Sequence, residues 1–280
     1  MRLLLTCPGK LGDLVYALPL VRLLARELAG RPGDEVHLLT ARRSAAALPL
    51  LRAQPYVSGA ELDPAYQPRD ESLGVQPWRM SEPPGFDQVL HLGLRPELVG
   101  ARDIFSRPLP LSFALNLRLA YGLDLRPDPA QAWLTVPAPE PGERVLFQGA
   151  GQTFNRLLDP ALARHLAAFW PALFQALGRP VVGLGAPGEK AWYQGLGLAL
   201  LTPPDLLAAA RLIAGAPWFV GVESVGAALA NGLDAPRLIL DYFGNALPAT
   251  ARGLAFRADE SPRDVAARAR SLWKGETHAP

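Results

Sequence analysis

The chain has 280 residues, enough for one large domain or two of ordinary size, and its 49% apolar and 19% charged residues are typical of a globular protein. Its 28 basic and 26 acidic residues nearly balance, and because no basic tail or stripe stands out, the sequence does not predict a nucleic-acid partner. The single cysteine, Cys7, excludes an internal disulfide framework and favours a reducing compartment.

The sequence predicts neither a signal peptide nor a membrane span. The apolar run that follows Met1 and Arg2 is too short for the core of a signal peptide. The longest apolar stretch, residues 206–222, is interrupted by Arg211 and Pro217. We therefore expect a cytoplasmic protein.

The first half of the sequence alternates short apolar runs with segments of helical spacing. We predict strands and helices in turn over 3–6, 13–28, 35–39, 41–51, 86–92 and 112–121. Pro19 lies inside the first helix and is expected to kink it. Residues 63–85 are rich in proline and polar groups and are predicted to form an irregular loop. The alternation is typical of a parallel α/β sheet.

A second alternation follows a proline-rich segment, VPAPEPGER at residues 136–144, which is the predicted linker. We predict its strands over 145–148, 180–184, 218–222 and 237–241, and its helices over 160–177, 204–215, 225–232 and 262–273. Two such halves indicate two doubly wound domains with a cleft between them. In sheets of this type ligands bind outside the carboxyl ends of the strands.

The first candidate for chemistry is PGKLGD, residues 8–13, at a junction between a strand and a helix. Asp13 is a natural helix cap there, with its carboxylate accepting a hydrogen bond from a backbone N–H. It is equally placed to face the cleft as a general base, with Gly9 and Gly12 allowing a substrate to approach the backbone. The local sequence leaves both alternatives open.

The second candidate is GLGAPGEK, residues 183–190, which matches the G-x-G-x-x-G pattern of dinucleotide-binding folds. It lies late in the chain, and no acidic residue follows the weakly defined strand around 198–201. A loop closed by glycines is therefore favoured over a dehydrogenase site. Glu189 either caps the next helix or accepts a hydrogen bond from a ribose hydroxyl.

The third candidate is FVGVESVGAALANGLDAP, residues 219–236, in which a buried strand ends at Glu223 and Ser224 and a helix of small residues begins. Open backbone N–H groups at a helix start suit a phosphate. The alternative is that Ser224 only caps the helix and that the alanines only pack.

Arg156, in GAGQTFNRLLDP at residues 149–160, is a candidate for binding a phosphate or carboxylate, against the alternative of a solvated arginine. No metal site is predicted, because the four histidines are scattered and lack carboxylate or cysteine partners at ligand spacing.

Taken in order, these segments resemble glycosyltransferase family 9, the ADP-heptose:lipopolysaccharide heptosyltransferases. GKLGDLVYALPLVRLL resembles the opening G-D-x-x-x-x-x-P segment of that family, and GLGAPGEK resembles its second-domain strand and loop ending in glutamate. LLAAARLIAGAPWFVGVESVGAALANGLDAP resembles its helix, strand and D-[ST]-G-x-x-H segment. The resemblance covers nearly the whole chain.

The resemblance implies an α/β protein with the GT-B fold, in which two Rossmann-like doubly wound domains face each other across a cleft. Residues 1–138 would form an N-terminal acceptor-side domain, and residues 144–260 a C-terminal domain that binds the nucleotide-sugar donor. A C-terminal helix within 261–280 would pack back on the N-terminal domain.

The resemblance also implies roles on the acceptor side. Asp13 stands at the position of the family's proposed base, which would take the proton from the acceptor hydroxyl as that oxygen attacks the anomeric carbon. Gly9, Lys10 and Gly12 would form the acceptor-side loop.

On the donor side, Arg156 stands near the family's phosphate-contacting lysine, and Glu189 stands at its ribose-contacting glutamate. Ser224, Val225 and Gly226 would offer backbone N–H groups to the diphosphate and stabilise its charge as it leaves.

The function implied is an inverting, metal-independent transfer of a heptose-like sugar from a nucleotide diphosphate sugar to a lipopolysaccharide or related glycan acceptor, free or lipid-linked. No cofactor and no nucleic acid are expected, and at most a peripheral association with the inner face of the membrane.

The chain departs from the family at three positions: Glu223 replaces an aspartate, Val225 a glycine and Ala228 a histidine. These changes support an alternative, a catalytically impaired GT-B homologue that only binds nucleotide or sugar. A Rossmann oxidoreductase, based on GLGAPG, is a third hypothesis.

Overall fold

The computed structural model describes residues 1–66, 80–95, 98, 108–128, 130–149, 159–242 and 252–276. The chain divides into two compact units, which are Met1–Pro137 with Asp205–Leu207, and Ala138–Pro204 with Ala208–Pro280. The assignment of an acceptor side and a donor side to the two predicted domains stays a prediction.

The first unit contains a parallel sheet with the strand order β3-β2-β1-β4. Its described strands are β1 (Arg2–Cys7), β2 (Glu35–Ala41), β3 (Gly59–Asp63) and β4 (Gln88–His91). Its described helices are α1 (Leu11–Glu27), α2 (Leu48–Arg52) and α3 (Leu109–Tyr121). The central strand β1 pairs with β2 on one side and with β4 on the other, so that Leu3 lies opposite both Val36 and Gln88.

The apolar run of β1 is continuous because a central parallel strand is covered on both faces. Leu3, Leu4 and Leu5 are each at most 2% exposed. Helix α1 packs beside this sheet and continues through Pro19 without interruption.

The prediction of one helix over 41–51 was wrong for the first half of that segment. Arg42–Ala47 is a 3-10 segment that contains a non-helical Ser44 with φ −94° and ψ 17°. The Ser44 hydroxyl donates a hydrogen bond to the carbonyl oxygen of Gly9 rather than supporting a helix. The α-helix starts only with Leu48, where Pro49 fits the first turn because its missing N–H is not needed there.

The second unit contains a parallel sheet with the strand order β10-β9-β8-β5-β6-β7. Its described strands are β5 (Val145–Gln148), β6 (Val181–Leu184), β7 (Leu200–Leu201), β8 (Phe219–Val222), β9 (Arg237–Leu240) and β10 (Gly253–Phe256). Its described helices are α4 (Pro160–Leu177), α5 (Lys190–Gly195), α6 (Leu206–Gly215), α7 (Val225–Gly232) and α8 (Pro262–Glu276), with a 3-10 turn at Pro187–Glu189.

An aromatic cluster fills the core of the second unit. Phe147 of β5 lies with its ring centroid 4.9 Å from that of Trp170 on α4, and both side chains are at most 1% exposed. Helix α8 packs on α4 and places Val265, Ala266 and Ala269 in the same core, each fully buried. The predicted return of this helix to the N-terminal domain stays a prediction.

The predicted linker is attached to the end of α6. The Gly142 N–H donates to the Gly215 carbonyl oxygen at 3.0 Å, and the Glu140 N–H donates to the Arg211 carbonyl oxygen at 3.2 Å. A Cβ atom at Gly215 would overlap the carbonyl group of Glu140, so only glycine allows this approach. Residues 140–142 are therefore part of the packed second unit.

Each sheet has a point at which the order of its strands reverses. In the first sheet this point lies between β1 and β4, and in the second it lies between β5 and β8. At such a point the connections leave on opposite sides, which opens a crevice at the carboxyl ends of the strands. Among the described helices, none is long and apolar enough to cross a membrane.

Candidate functional site

The turn between β1 and α1 holds the Asp13 carboxylate through a backbone hydrogen bond. Lys10, not Asp13, is the residue that caps α1, and Asp13 is the third residue of the helix. Its Oδ2 accepts a hydrogen bond of 3.0 Å from the Lys10 N–H. Its Oδ1 has no hydrogen-bond donor within the described part of the chain. Asp13 therefore supports the helix start with one oxygen and keeps the other available.

The same turn is shaped around Asp13. A Cβ atom at Gly9 would lie 2.6 Å from the Asp13 Cβ, so the turn requires glycine there. From the other side, the Arg43 guanidinium donates to the Pro8 carbonyl oxygen at 3.0 Å, and Ser44 holds the carbonyl of Gly9. The loop is thereby fixed by its neighbours before any ligand binds.

The surroundings of Asp13 favour a basic carboxyl group. Burial raises the pKa of Asp13, while the Lys10 N–H and the charges of Lys10 and Arg43 oppose that rise. Directly before the turn, burial raises the pKa of the Cys7 thiol to about 12, so this thiol stays protonated. A carboxylate with a raised pKa is a better proton acceptor than an ordinary aspartate.

A hydrogen-bonded chain that sequence reasoning missed lies at the neighbouring strand end. Thr6 Oγ1 and His91 Nδ1 are 2.7 Å apart, and His91 Nε2 lies 3.0 Å from an oxygen of Glu82. The His91 N–H also donates to the hydroxyl oxygen of Tyr121 at 3.0 Å. His91 is 3% exposed, so this chain ties β4 to β1 at the point of strand reversal.

In the second unit, Gln148 ties the end of β5 to the start of α7. Its Oε1 accepts hydrogen bonds from the Ser224 hydroxyl at 2.8 Å and from the Gly226 N–H at 2.9 Å. Ser224 is the cap of α7, and its Oγ accepts from the Ala227 N–H at 3.4 Å. Gln148 was not singled out from the sequence, because its partners lie more than 70 residues away.

This arrangement bears on the predicted phosphate donors Ser224, Val225 and Gly226, whose role stays a prediction. The Gly226 N–H already has a protein acceptor, so it is not open to a ligand. The N–H groups of Ser224 and Val225 have no acceptor among the described residues. Ala228, which the resemblance places at the family's histidine, is fully buried.

Two carboxyl groups lie together at the ends of β8 and β9. Val222 pairs with Leu240, so the residues that follow, Glu223 and Asp241, occupy the same edge of the sheet. Burial, and next the repulsion from Asp241, raises the pKa of Glu223 to about 8. Glu223 is therefore largely neutral at pH 7. Asp241 was not predicted, since it follows an ordinary strand without a motif.

In the GLGAPGEK segment, the space beside the glycines is filled by the side chains of Glu189 and Tyr193. The Glu189 carboxylate accepts a hydrogen bond of 2.9 Å from the Ala186 N–H, and a Cβ atom at Gly185 would overlap it. A Cβ atom at Gly183 would overlap the ring of Tyr193. The glycines thus serve local packing, which favours the loop alternative over a dehydrogenase site. The ribose contact of Glu189 stays a prediction.

Two expectations have no structural outcome. Arg156 lies outside the described residues. Within the described residues, no three histidine, cysteine, aspartate or glutamate side chains cluster as ligands for a metal ion. The expected metal independence stays a prediction.

No family model matches the chain, and no curated protein matches it in sequence. Its fold, in contrast, is similar to that of solved glycosyltransferases. A glycosyl transferase of family 9 from Veillonella parvula has a TM-score of 0.64 at 12% identity, covering 98% of this chain and 97% of its own. E. coli ADP-heptose lipopolysaccharide heptosyltransferase II has a TM-score of 0.62 at 16% identity, covering 99% and 100%. E. coli heptosyltransferase WaaC, solved with ADP, has a TM-score of 0.60 at 15% identity, covering 97% and 100%.

At these identities the similarity shows the fold alone. The chain has an α/β GT-B fold, built from two Rossmann-like doubly wound units, and the fold class implied by the sequence resemblance is confirmed.

Proposed function

We propose that this chain is a glycosyltransferase that moves a sugar from a nucleoside diphosphate sugar to an acceptor hydroxyl. The observation that carries the proposal is the Asp13 carboxylate, held at a strand end by the Lys10 N–H with its second oxygen available. The fold supports it, because similar structures are named as ADP-heptose heptosyltransferases and one was solved with ADP.

Asp13 acts as the general base in the proposed reaction. Its Oδ1 takes the proton of the acceptor hydroxyl while that oxygen forms a bond to the anomeric carbon. The bond from the same carbon to the diphosphate breaks, and the configuration is inverted. Gly9, Lys10 and Gly12 form the loop beside the acceptor, and Lys10 supplies a positive charge.

The start of α7 binds the diphosphate in the proposed reaction. The N–H groups of Ser224 and Val225 donate to phosphate oxygens, and the positive end of the helix dipole stabilises the leaving group without a metal. The largely neutral Glu223 adds little negative charge beside them. Glu189 accepts a hydrogen bond from a ribose hydroxyl, and Arg156 binds phosphate.

The acceptor proposed is a lipopolysaccharide or related glycan, and the sugar is heptose-like. This proposal rests on the resemblance of the motifs around Asp13 and Ser224. The reaction would take place in the cytoplasm at the inner face of the membrane, with peripheral association only. The free thiol of Cys7 fits a reducing compartment.

The test is the Asp13→Asn variant, with Asp124→Asn, an exposed aspartate of the same unit, as the control. Binding of ADP, UDP, GDP and dTDP is measured by thermal stabilisation, and transfer is measured with the sugar derivative of the nucleotide that binds. We expect Asp13→Asn to lower transfer at least about 100-fold and to leave nucleotide binding unchanged. Full transfer activity in Asp13→Asn would contradict the base assignment.

A catalytically impaired homologue is the second candidate. It is favoured by the buried Ala228 and by the engagement of the Gly226 N–H with Gln148, which together leave fewer contacts for a diphosphate. It predicts nucleotide binding without product for any acceptor, and steady transfer of sugar from a bound donor would eliminate it.

A further inference from the structure

Trp192 on α5 is an exposed tryptophan at the carboxyl edge of the second sheet. It is 41% exposed, whereas Trp133, Trp170 and Trp218 are at most 3% exposed. Burying an indole is among the largest apolar gains available to a chain. Its place at the ligand-binding edge of a doubly wound sheet makes it accessible to a ligand bound there.

The indole is held in a fixed plane. Its ring lies nearly parallel to that of Phe147, with an interplanar angle of 23° and centroids 6.0 Å apart, and Phe147 is fully buried. The ring of Tyr193 meets it edge-on, at 4.8 Å and 86°. Phe147 thus covers one side of the indole, while 41% of the residue stays exposed. An aromatic plane that is already fixed loses little side-chain entropy when a ligand binds it.

The indole also lies beside the end of β5. A Cβ atom at Gly149 would be 2.6 Å from the Trp192 ring, so the indole covers Gly149. The residue before it, with a Cα atom about 3.8 Å away, is Gln148, whose side chain binds Ser224. Glu189, the proposed ribose ligand, precedes Trp192 by three residues. The indole and the Gln148 side chain that binds Ser224 thus both lie at the end of β5.

We infer that the exposed side of Trp192 stacks on the base of the nucleoside diphosphate whose phosphates bind at the start of α7. This inference rests on the proposed function and adds to it the residue that receives the base. Every nucleobase has a π face, so stacking accepts any base, and a purine gains more than a pyrimidine because its ring system is larger.

The experiment compares the full-length wild type with Trp192→Ala and Trp192→Phe by calorimetric titration with ADP, UDP and inorganic pyrophosphate. Loss of one base–aromatic stack lowers affinity by about 5- to 150-fold. We expect Trp192→Ala to show such a loss for ADP, a smaller loss for UDP and none for pyrophosphate. Trp192→Phe should retain most of the affinity for ADP. Leu119→Ala, which changes an exposed leucine of the first unit, is the control and should bind as the wild type does.

Fluorescence gives a second readout that a merely structural role would not move. ADP should quench tryptophan emission in the wild type, and Trp192→Phe should lose that quenching while it still binds ADP.

The outcomes separate the two proposals. If the wild type binds ADP and Trp192→Ala binds it equally well, the stacking inference is wrong and the proposed function stands. Equal losses for ADP and pyrophosphate in Trp192→Ala would also overturn it, because pyrophosphate carries no base. A wild type that binds no nucleotide would overturn the proposed function together with the inference.

Discussion

Replacing Glu223 with glutamine is expected to change how the stability of the protein depends on pH. The pKa of Glu223 is raised from 4.5 to about 8 by burial and then by repulsion from Asp241. Between these pH values the folded chain holds a proton that the unfolded chain has released, so the free energy of unfolding falls as the pH rises. Below about pH 4.5 both states are protonated and Glu223 costs nothing; above about pH 8 its full cost is present.

The size of the effect follows from the same two values. At 1.36 kcal/mol per pH unit, the rise from 4.5 to about 8 corresponds to roughly 5 kcal/mol. Glu223 is only partly exposed, so most of this change should appear in the measured stability. Glutamine does not ionise, so the advantage of Glu223→Gln over the wild type should grow from near zero to that value across this window.

The assay is urea denaturation followed by circular dichroism, at steps of about one pH unit from about pH 5 to about pH 9. Glu143→Gln removes an exposed carboxylate of the same unit and is the matched control, for which we expect no such growth. Asp241→Asn should reduce the pH dependence without abolishing it, because burial is the larger cause. A difference between Glu223→Gln and wild type that stays constant with pH, or grows toward acid, would refute the reasoning.

Two further predictions concern packing. Gly183→Ala should destabilise the protein by about 1–3 kcal/mol in urea denaturation, because the new methyl group overlaps the buried Tyr193 ring. The control Gly188→Ala should cost far less, because no atom lies within 4 Å of its Cβ. Similar losses of stability in both variants would contradict the overlap. The Cys7 thiol is buried and its pKa is raised to about 12, so it should not react with a thiol reagent in the native protein near pH 8. It should react once the chain is unfolded. Rapid labelling of the folded protein would contradict the burial of Cys7.

The strands that sequence reasoning missed or left undefined are edge strands. In the described sheets, β3, β7 and β10 each lie at an edge. A central strand such as β5 is buried at every position, whereas β3 contains an exposed Glu61 and a partly exposed Leu62. Without the continuous apolar run of a central strand, the sequence gives a weak signal at an edge.

At the site, the sequence located the turn but not the hydrogen bonds within it. The sequence left Asp13 open as a helix cap or a general base, and the cap position is filled by Lys10, a residue type that is rare there. The segment from Lys10 to Asp13 therefore does not match the usual signature of a helix start, a serine or threonine followed three residues later by an acid. Gln148 was missed for another reason, since its partner Ser224 lies 76 residues away and only the fold brings them together.

The position of the first strand in each sheet has a consequence for synthesis of the chain. Strand β1 is made before the other strands of its sheet but lies between β2 and β4 in the folded protein. The hydrogen bond between Thr6 and His91 spans 85 residues of sequence. At about 5–20 residues per second, a ribosome needs roughly 4–17 s to supply the second neighbour after the first strand. During that interval one side of β1 has no strand to pair with. The last strand pair to form in the first sheet is therefore β1 with β4, and the crevice beside Asp13 lies at the carboxyl end of this pair.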